Sequence, residues 1–220
     1  MKYIVSAVMG IILSCCTSLK SLPESDLRSG YYEFRQVDTH YARVYAEVNG
    51  DSVDIFPIDK KEDAIKSFTT GAEQFFLKRS FDLDVLTVPF KYRPSSSGFP
   101  RQLTVDFNGS VFLGYRFDRY KVQSVQTPAR VQKKIGHRAI TMGVFGGIGT
   151  SSITPSTTNY QTIDDYNGFI LNRGLSLMAG VNNLTVGIGV GWDYLTDRDK
   201  DIWIYQNKPW YGLTLSLNLN

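Results

Sequence analysis

The sequence predicts an all-β chain: an antiparallel up-and-down β-barrel, transmembrane, preceded by a small N-terminal β module. Three observations predict it. Apolar and polar residues alternate with period two over several segments, the mark of a strand with two unlike faces. These segments run about 9 to 15 residues, where soluble strands average about five to six and a membrane strand needs about 9 to 11. The composition also suits strands, with 13 Tyr, 13 Phe and 19 Gly in 220 residues.

The first element is not a strand. Lys2 precedes about eleven mostly apolar residues, and the run closes on Ser14-Cys15-Cys16, the layout of an export signal. It is too short to cross a bilayer as a helix, which takes about 20 residues. Cys15 and Cys16 are the only cysteines in the chain. Ile12-Leu13-Ser14-Cys15 resembles the lipobox of bacterial lipoproteins, and Leu13-Ser14-Cys15-Cys16 offers a second frame. The resemblance implies a signal peptide over 1–14 and acylation, of the palmitate type, at Cys15 or at Cys16 beside it. The lipidated cysteine then becomes the first residue of the mature protein, and 15–29 is a polar tether. An ordinary signal peptide with incidental thiols is the alternative. With a lipidated Cys15, no disulfide staples the body, although an exported compartment permits one.

Residues 30–78 read as a small β-rich module or plug. Tyr31–Gln36, Arg43–Val48 and Ser52–Ile58 are candidate strands. Asn49-Gly50 joins the last two and favours the positive φ angles of a tight hairpin. Asp59, three residues before Glu62, has capping-box spacing and predicts a short helix over Lys60–Phe68.

The barrel is expected over 79–220. From Leu103 to Phe117 one parity is apolar and the other is small or polar, with Phe112 the exception. Leu184, Val186, Ile188, Val190, Trp192 and Tyr194 alternate with Thr185, three glycines and Asp193. Tyr211–Leu219, Ala139–Thr150 and Phe169–Val181 repeat the pattern. In Phe81–Tyr92 the apolar parity switches after Val85, which predicts a bulge. Aromatics gather near strand ends, Phe90 and Tyr92, Tyr115 and Phe117, Trp192 and Tyr194, Trp210 and Tyr211, as interfacial girdles do.

With Phe81 starting on the periplasmic side, the long polar connections 93–102, 151–168 and 195–209 fall outside, and the Asn182-Asn183 turn falls in the periplasm. The stretch 118–138 is too long for a periplasmic turn; it is either an extension of its flanking strands or a missed hairpin. The pattern as a whole resembles small outer-membrane β-barrel proteins. That resemblance implies a bacterial outer-membrane location and a structural or binding role in the cell envelope. Six strands are legible, whereas single-chain bacterial barrels have an even number from eight upward. A lipid-anchored soluble periplasmic β-domain that binds an apolar ligand or a protein is the other reading.

Charge and motifs narrow the chemistry. With 24 basic and 21 acidic residues, the balance gives no reason to expect nucleic acid as a partner. The expected partners are membrane lipid and envelope proteins. No catalytic constellation, cofactor motif or metal-ligand spacing is legible, and the chain reads as a non-enzyme. His40 and His137 read as loop or surface residues. Asp164-Asp165 and the run Asp197 to Asp201 read as solvated outer loops, although clustered oxygens are what calcium takes. Gly143 to Gly149 reads as a narrow strand face, since no helix follows to complete a phosphate loop. The basic residues Arg119, Lys121, Arg130, Lys133 and Lys134, with Arg116 and Arg138 nearby, are candidate contacts for anionic headgroups or a partner. Arg173 falls on an apolar parity and is a candidate for lipid phosphates at the interface.

Overall fold

A computed structural model describes residues 27–36, 42–49, 52–58, 65–66, 73–96, 98–126, 128, 131–181 and 184–218. Over them runs one eleven-stranded sheet. The strands are β1 (Gly30–Gln36), β2 (Ala42–Asn49), β3 (Ser52–Pro57), β4 (Ile65–Lys66), β5 (Gln74–Arg93), β6 (Gln102–Thr104), β7 (Asn108–Gln126), β8 (Val131–Ile153), β9 (Tyr166–Val181), β10 (Leu184–Leu195) and β11 (Pro209–Asn218). Every pairing between them is antiparallel. Helical structure among the described residues is one 3-10 turn, Pro155–Thr158.

Six strands close a ring of hydrogen bonds. β7 through β11 follow one another up and down, and β5 bridges the two ends by pairing with both β7 and β11. These six are the six segments whose alternation is legible in the sequence. Strands β1 to β4 do not enlarge the ring. β1 joins β5 beside Gln74–Leu77, and β2, β3 and β4 follow it away from the ring.

Several expectations are corrected. The helix expected over Lys60–Phe68 is overturned at Ile65–Lys66, which forms β4 against β3; the rest of it lies outside the described residues. The stretch 118–138, by contrast, follows the first of its two expected alternatives and extends its flanking strands: β7 runs to Gln126 and β8 starts at Val131. Leu103–Phe117 is not one strand. It breaks at 105–107, leaving β6 paired to the end of β5 and β7 starting at Asn108.

The predicted bulge exists, but later than the parity change at Leu86 suggested. Leu213 faces Phe90 and Leu215 faces Thr87, so β5 carries one extra residue across Val88-Pro89. Proline has no N–H to lose from a ladder, which suits it to this position. Leu86 and Val88 are apolar because they face a buried apolar layer, which is why sequence parity misplaced the bulge.

At the bulge a side chain replaces backbone. The Val88 N–H donates to Asn108 Oδ1 at 2.7 Å, and Asn108 Nδ2 donates to the Val88 carbonyl at 2.8 Å. The amide of Asn108 thus continues the β5 ladder where β7 begins. Asn108→Ala strands one buried donor and one buried acceptor, each worth about 1–3 kcal/mol unpaired. The expected loss is about 2–5 kcal/mol in chemical denaturation of the full chain. Asn108→Asp keeps the acceptor but sets a buried carboxylate oxygen against the Val88 carbonyl, and should cost at least as much as Asn108→Ala.

Candidate functional site

The ring wears its hydrophobic residues outside. Along β9, Phe169, Leu171, Leu175 and Leu177 are exposed, while Ile170, Asn172, Gly174, Ser176, Met178 and Gly180 are buried. β10 presents Val186 and Ile188 outward and turns Thr185, Gly189, Gly191 and Asp193 inward. The same division holds on β5, β7, β8 and β11. Exposures are high: Phe81 86 %, Ile188 68 % and Leu217 66 %. Register places Met142 beside Leu177, Leu177 beside Ile188, and Ile188 beside Leu213, so the outward residues form a continuous belt. Soluble monomers seldom expose a contiguous apolar patch beyond a few hundred Å². From Phe169 to Ala179 the strand rises about 33 Å at roughly 3.3 Å per residue. At the tilt of about 40° usual for closed sheets that is a band about 25 Å tall.

The interior is polar and stacked in layers. Leu86, Val88, Phe112, Phe145, Met178 and Trp210 form an apolar layer at mid-height. The inward face explains Phe112, the exception in the sequence pattern, and it corrects Trp210, which is not a girdle residue but is turned inward and fully buried.

Above this layer sits Asp193, fully buried. Lys91 Nζ lies 3.1 Å from each of its carboxylate oxygens, Arg93 donates to Oδ2, and Trp210 Nε1 donates to Oδ1 at 2.9 Å. Arg93 also lies 5.3 Å over Trp203 and 5.0 Å over Tyr205. Trp203, Ile204 and Tyr205 belong to the 196–208 connection and close this upper end over Ile153, Ile170 and Leu195. Burial pushes the Tyr205 hydroxyl up, and Arg93 partly offsets the shift.

Below the mid-height layer lies a second charged group. Arg116 Nε donates to Asp118 at 2.9 Å and Arg116 stands 3.8 Å from Asp82. His137 Nε2 lies 2.7 Å from Asp118, and its ring stacks on Tyr120 at 4.4 Å. The inward faces of β1, β2 and β3 then cover the lower end, packing Tyr32, Val44, Ala46, Val53 and Ile55 on Phe76 and Val122.

The sequence-predicted residues fall into separate places. Arg119 and Arg138 are outward and exposed, on the lower rim of the belt. Lys121 is also outward, paired with Glu73 at 2.8 Å. Lys134 is exposed lower on β8. Lys133 lies in β8. Arg130, Cys15, Cys16 and His40 lie outside the described residues. Arg173 stands in the belt, level with Gly146 and Trp192, and is its one charged residue among the described positions. Arg116, by contrast, is turned inward to carboxylates.

His137 is not a loop or surface histidine. β8 begins before it, and its side chain is only 5 % exposed. The buried Lys91–Arg93–Asp193 cluster was not legible. Its signal was charge on the inward parity, Asp193 among glycines, but the cations that meet it lie across the bulge on β5.

Asp197 and Asp199 both accept from the Tyr166 hydroxyl, at 3.0 and 2.8 Å, and Arg198 pairs with Asp164. Among the described residues, no three His, Cys, Asp or Glu are grouped to hold a metal ion.

No family model matches this chain, and neither a curated protein nor a solved structure matches it.

Proposed function

We propose that this protein is an exported, lipid-anchored β-barrel of the bacterial outer membrane, with a structural or binding role in the cell envelope. The observation that carries this reading is the inverted radial order: an apolar belt outside, charged and polar side chains inside. In lipid, each backbone polar group needs an internal partner, and a ring of hydrogen bonds through six strands supplies one along each ladder. The belt is about as tall as a membrane barrel's apolar band. Outward aromatics stand near its two limits: Phe81 and Phe117 below, Tyr92, Trp192 and Tyr194 above. A filled interior does not conduct ions or solutes, so the role lies in the belt, the 196–208 cap and the lower end rather than in transport.

The test is membrane fractionation of the wild type and a Cys15→Ala/Cys16→Ala variant, with carbonate washing and a heat-modifiability gel. The expected result is a variant that stays in the outer membrane and migrates faster unheated. The strand count favours a second reading, since six is below the eight usual for single-chain bacterial barrels. In that reading a lipid-anchored periplasmic domain covers its belt with an apolar ligand or a protein partner. A variant that becomes soluble and shows no heat shift would select it.

A further inference from the structure

We propose that Arg119 and Arg138 form a site for the phosphodiester headgroup of an anionic glycerophospholipid. The inference rests on the membrane reading above and adds a ligand class to it.

Arg119 on β7 and Arg138 on β8 are direct register partners. Both point outward and are exposed. Like charges directly opposite on antiparallel strands repel and destabilise the pair. Two neighbouring cations on the same rim are neutralised within the chain: Arg79 by Glu33 at 3.2 Å and Lys121 by Glu73 at 2.8 Å. Among the described residues, Arg119 and Arg138 have no carboxylate partner. Of these four rim cations, then, two are balanced and two are left facing each other.

Their position selects the ligand. One step up the same strands, Phe117 faces Ile140, the lowest pair of the apolar belt. A lipid whose acyl chains lie against the belt carries its phosphate to the height of the two arginines. Arg119 is steadied there by the Phe75 ring, 4.4 Å from its guanidinium carbon. Paired guanidiniums offer planar, multiple donors to phosphate oxygens, and each basic residue near an anionic surface adds about 1 kcal/mol. An anion between the two replaces their repulsion with attraction.

The experiment uses the full chain in bilayer nanodiscs of phosphatidylcholine with or without phosphatidylglycerol, and counts retained lipids by native mass spectrometry. Wild type should retain phosphatidylglycerol over phosphatidylcholine by on the order of tenfold. Arg119→Gln/Arg138→Gln should bring that ratio near one, with an unchanged heat shift showing that the ring still forms. Arg79→Gln/Lys121→Gln, at the two cations already paired, should change it less than twofold. Selectivity that survives the Arg119/Arg138 change overturns the proposal, as does loss of bound lipid to millimolar inorganic phosphate. A wild type that enters both bilayers without selectivity overturns this site alone. Failure to enter either bilayer overturns the membrane reading beneath it.

Discussion

Asp193→Ala should unfold the ring or come close to it. The substitution leaves Lys91 and Arg93 as uncompensated cations inside the structure, and strips Trp210 Nε1 of its acceptor. Removing one partner of a buried ion pair costs about 3–5 kcal/mol, a large share of the 5–15 kcal/mol that holds most domains together. Asp193→Asn should be nearly as damaging: it keeps the shape and an acceptor for Trp210 but not the charge. Converting Lys91, Arg93 and Asp193 together to apolar residues of similar volume should recover much of the loss, because an intact buried ion cluster contributes little net stability. Arg198→Ala, at an exposed ion pair, serves as the comparison and should leave the midpoint unmoved. Denaturant titration of the four variants beside wild type decides the matter. An Asp193→Ala protein as stable as wild type would mean that the cluster is hydrated rather than dry.

The second large effect is expected at two inward glycines. A methyl group on Gly147 would sit 2.1 Å from the Gly109 carbonyl oxygen, and one on Gly187 would sit 2.3 Å from that of Leu177. Both obstacles are backbone of the neighbouring strand, so no side chain can turn aside. A ring of six strands bends its wall sharply, and these are places where neighbouring backbones crowd the inner face. Gly147→Val and Gly187→Val should each cost about 3 kcal/mol or more, at the severe end of overpacking, and abolish the fast-migrating unheated form. Gly146→Val is the internal control. It points outward, its nearest neighbouring atom is 3.9 Å away, and it should fold normally. Equal behaviour of Gly146 and Gly147 variants would contradict the inside–outside assignment of β8.

The ring was legible because alternation survives wherever one face meets small or polar residues and the other is apolar. Leu184 to Tyr194 shows this most plainly, and β10 occupies almost that span. Legibility fails where an inward position is itself apolar. Phe112, Leu86 and Val88 break the pattern because they belong to the mid-height layer, and the bulge was misplaced for that reason. Strand ends were lost for a different cause. Below the belt the outward face becomes Arg119, Lys121 and Arg138 while the inward face gains Tyr120 and Ile135, so the usual contrast inverts and the sequence alone leaves 118–138 open between extended strands and a further hairpin. The charged interior could not be read at all, since Lys91 and Asp193 meet through β11 and the ring closure, not through local spacing. The basic rim was legible as composition; only register separates Arg119 and Arg138, which face each other, from Arg116, which turns inward.

The seam strand has a consequence for how the chain reaches its final state. β5 meets β7 early in the sequence, but the contact that closes the circle joins Tyr92 to Tyr211 and Asp84 to Asn218. A chain that lacks β11 cannot make that contact and exposes two raw edges, on β10 and on the upper half of β5. Unpaired edges recruit strands from other molecules, and a closure between such distant segments is slow. The nascent protein therefore has to be kept from its own kind until β11 arrives, and a truncation that removes Pro209–Asn218 should yield aggregates rather than a smaller folded protein.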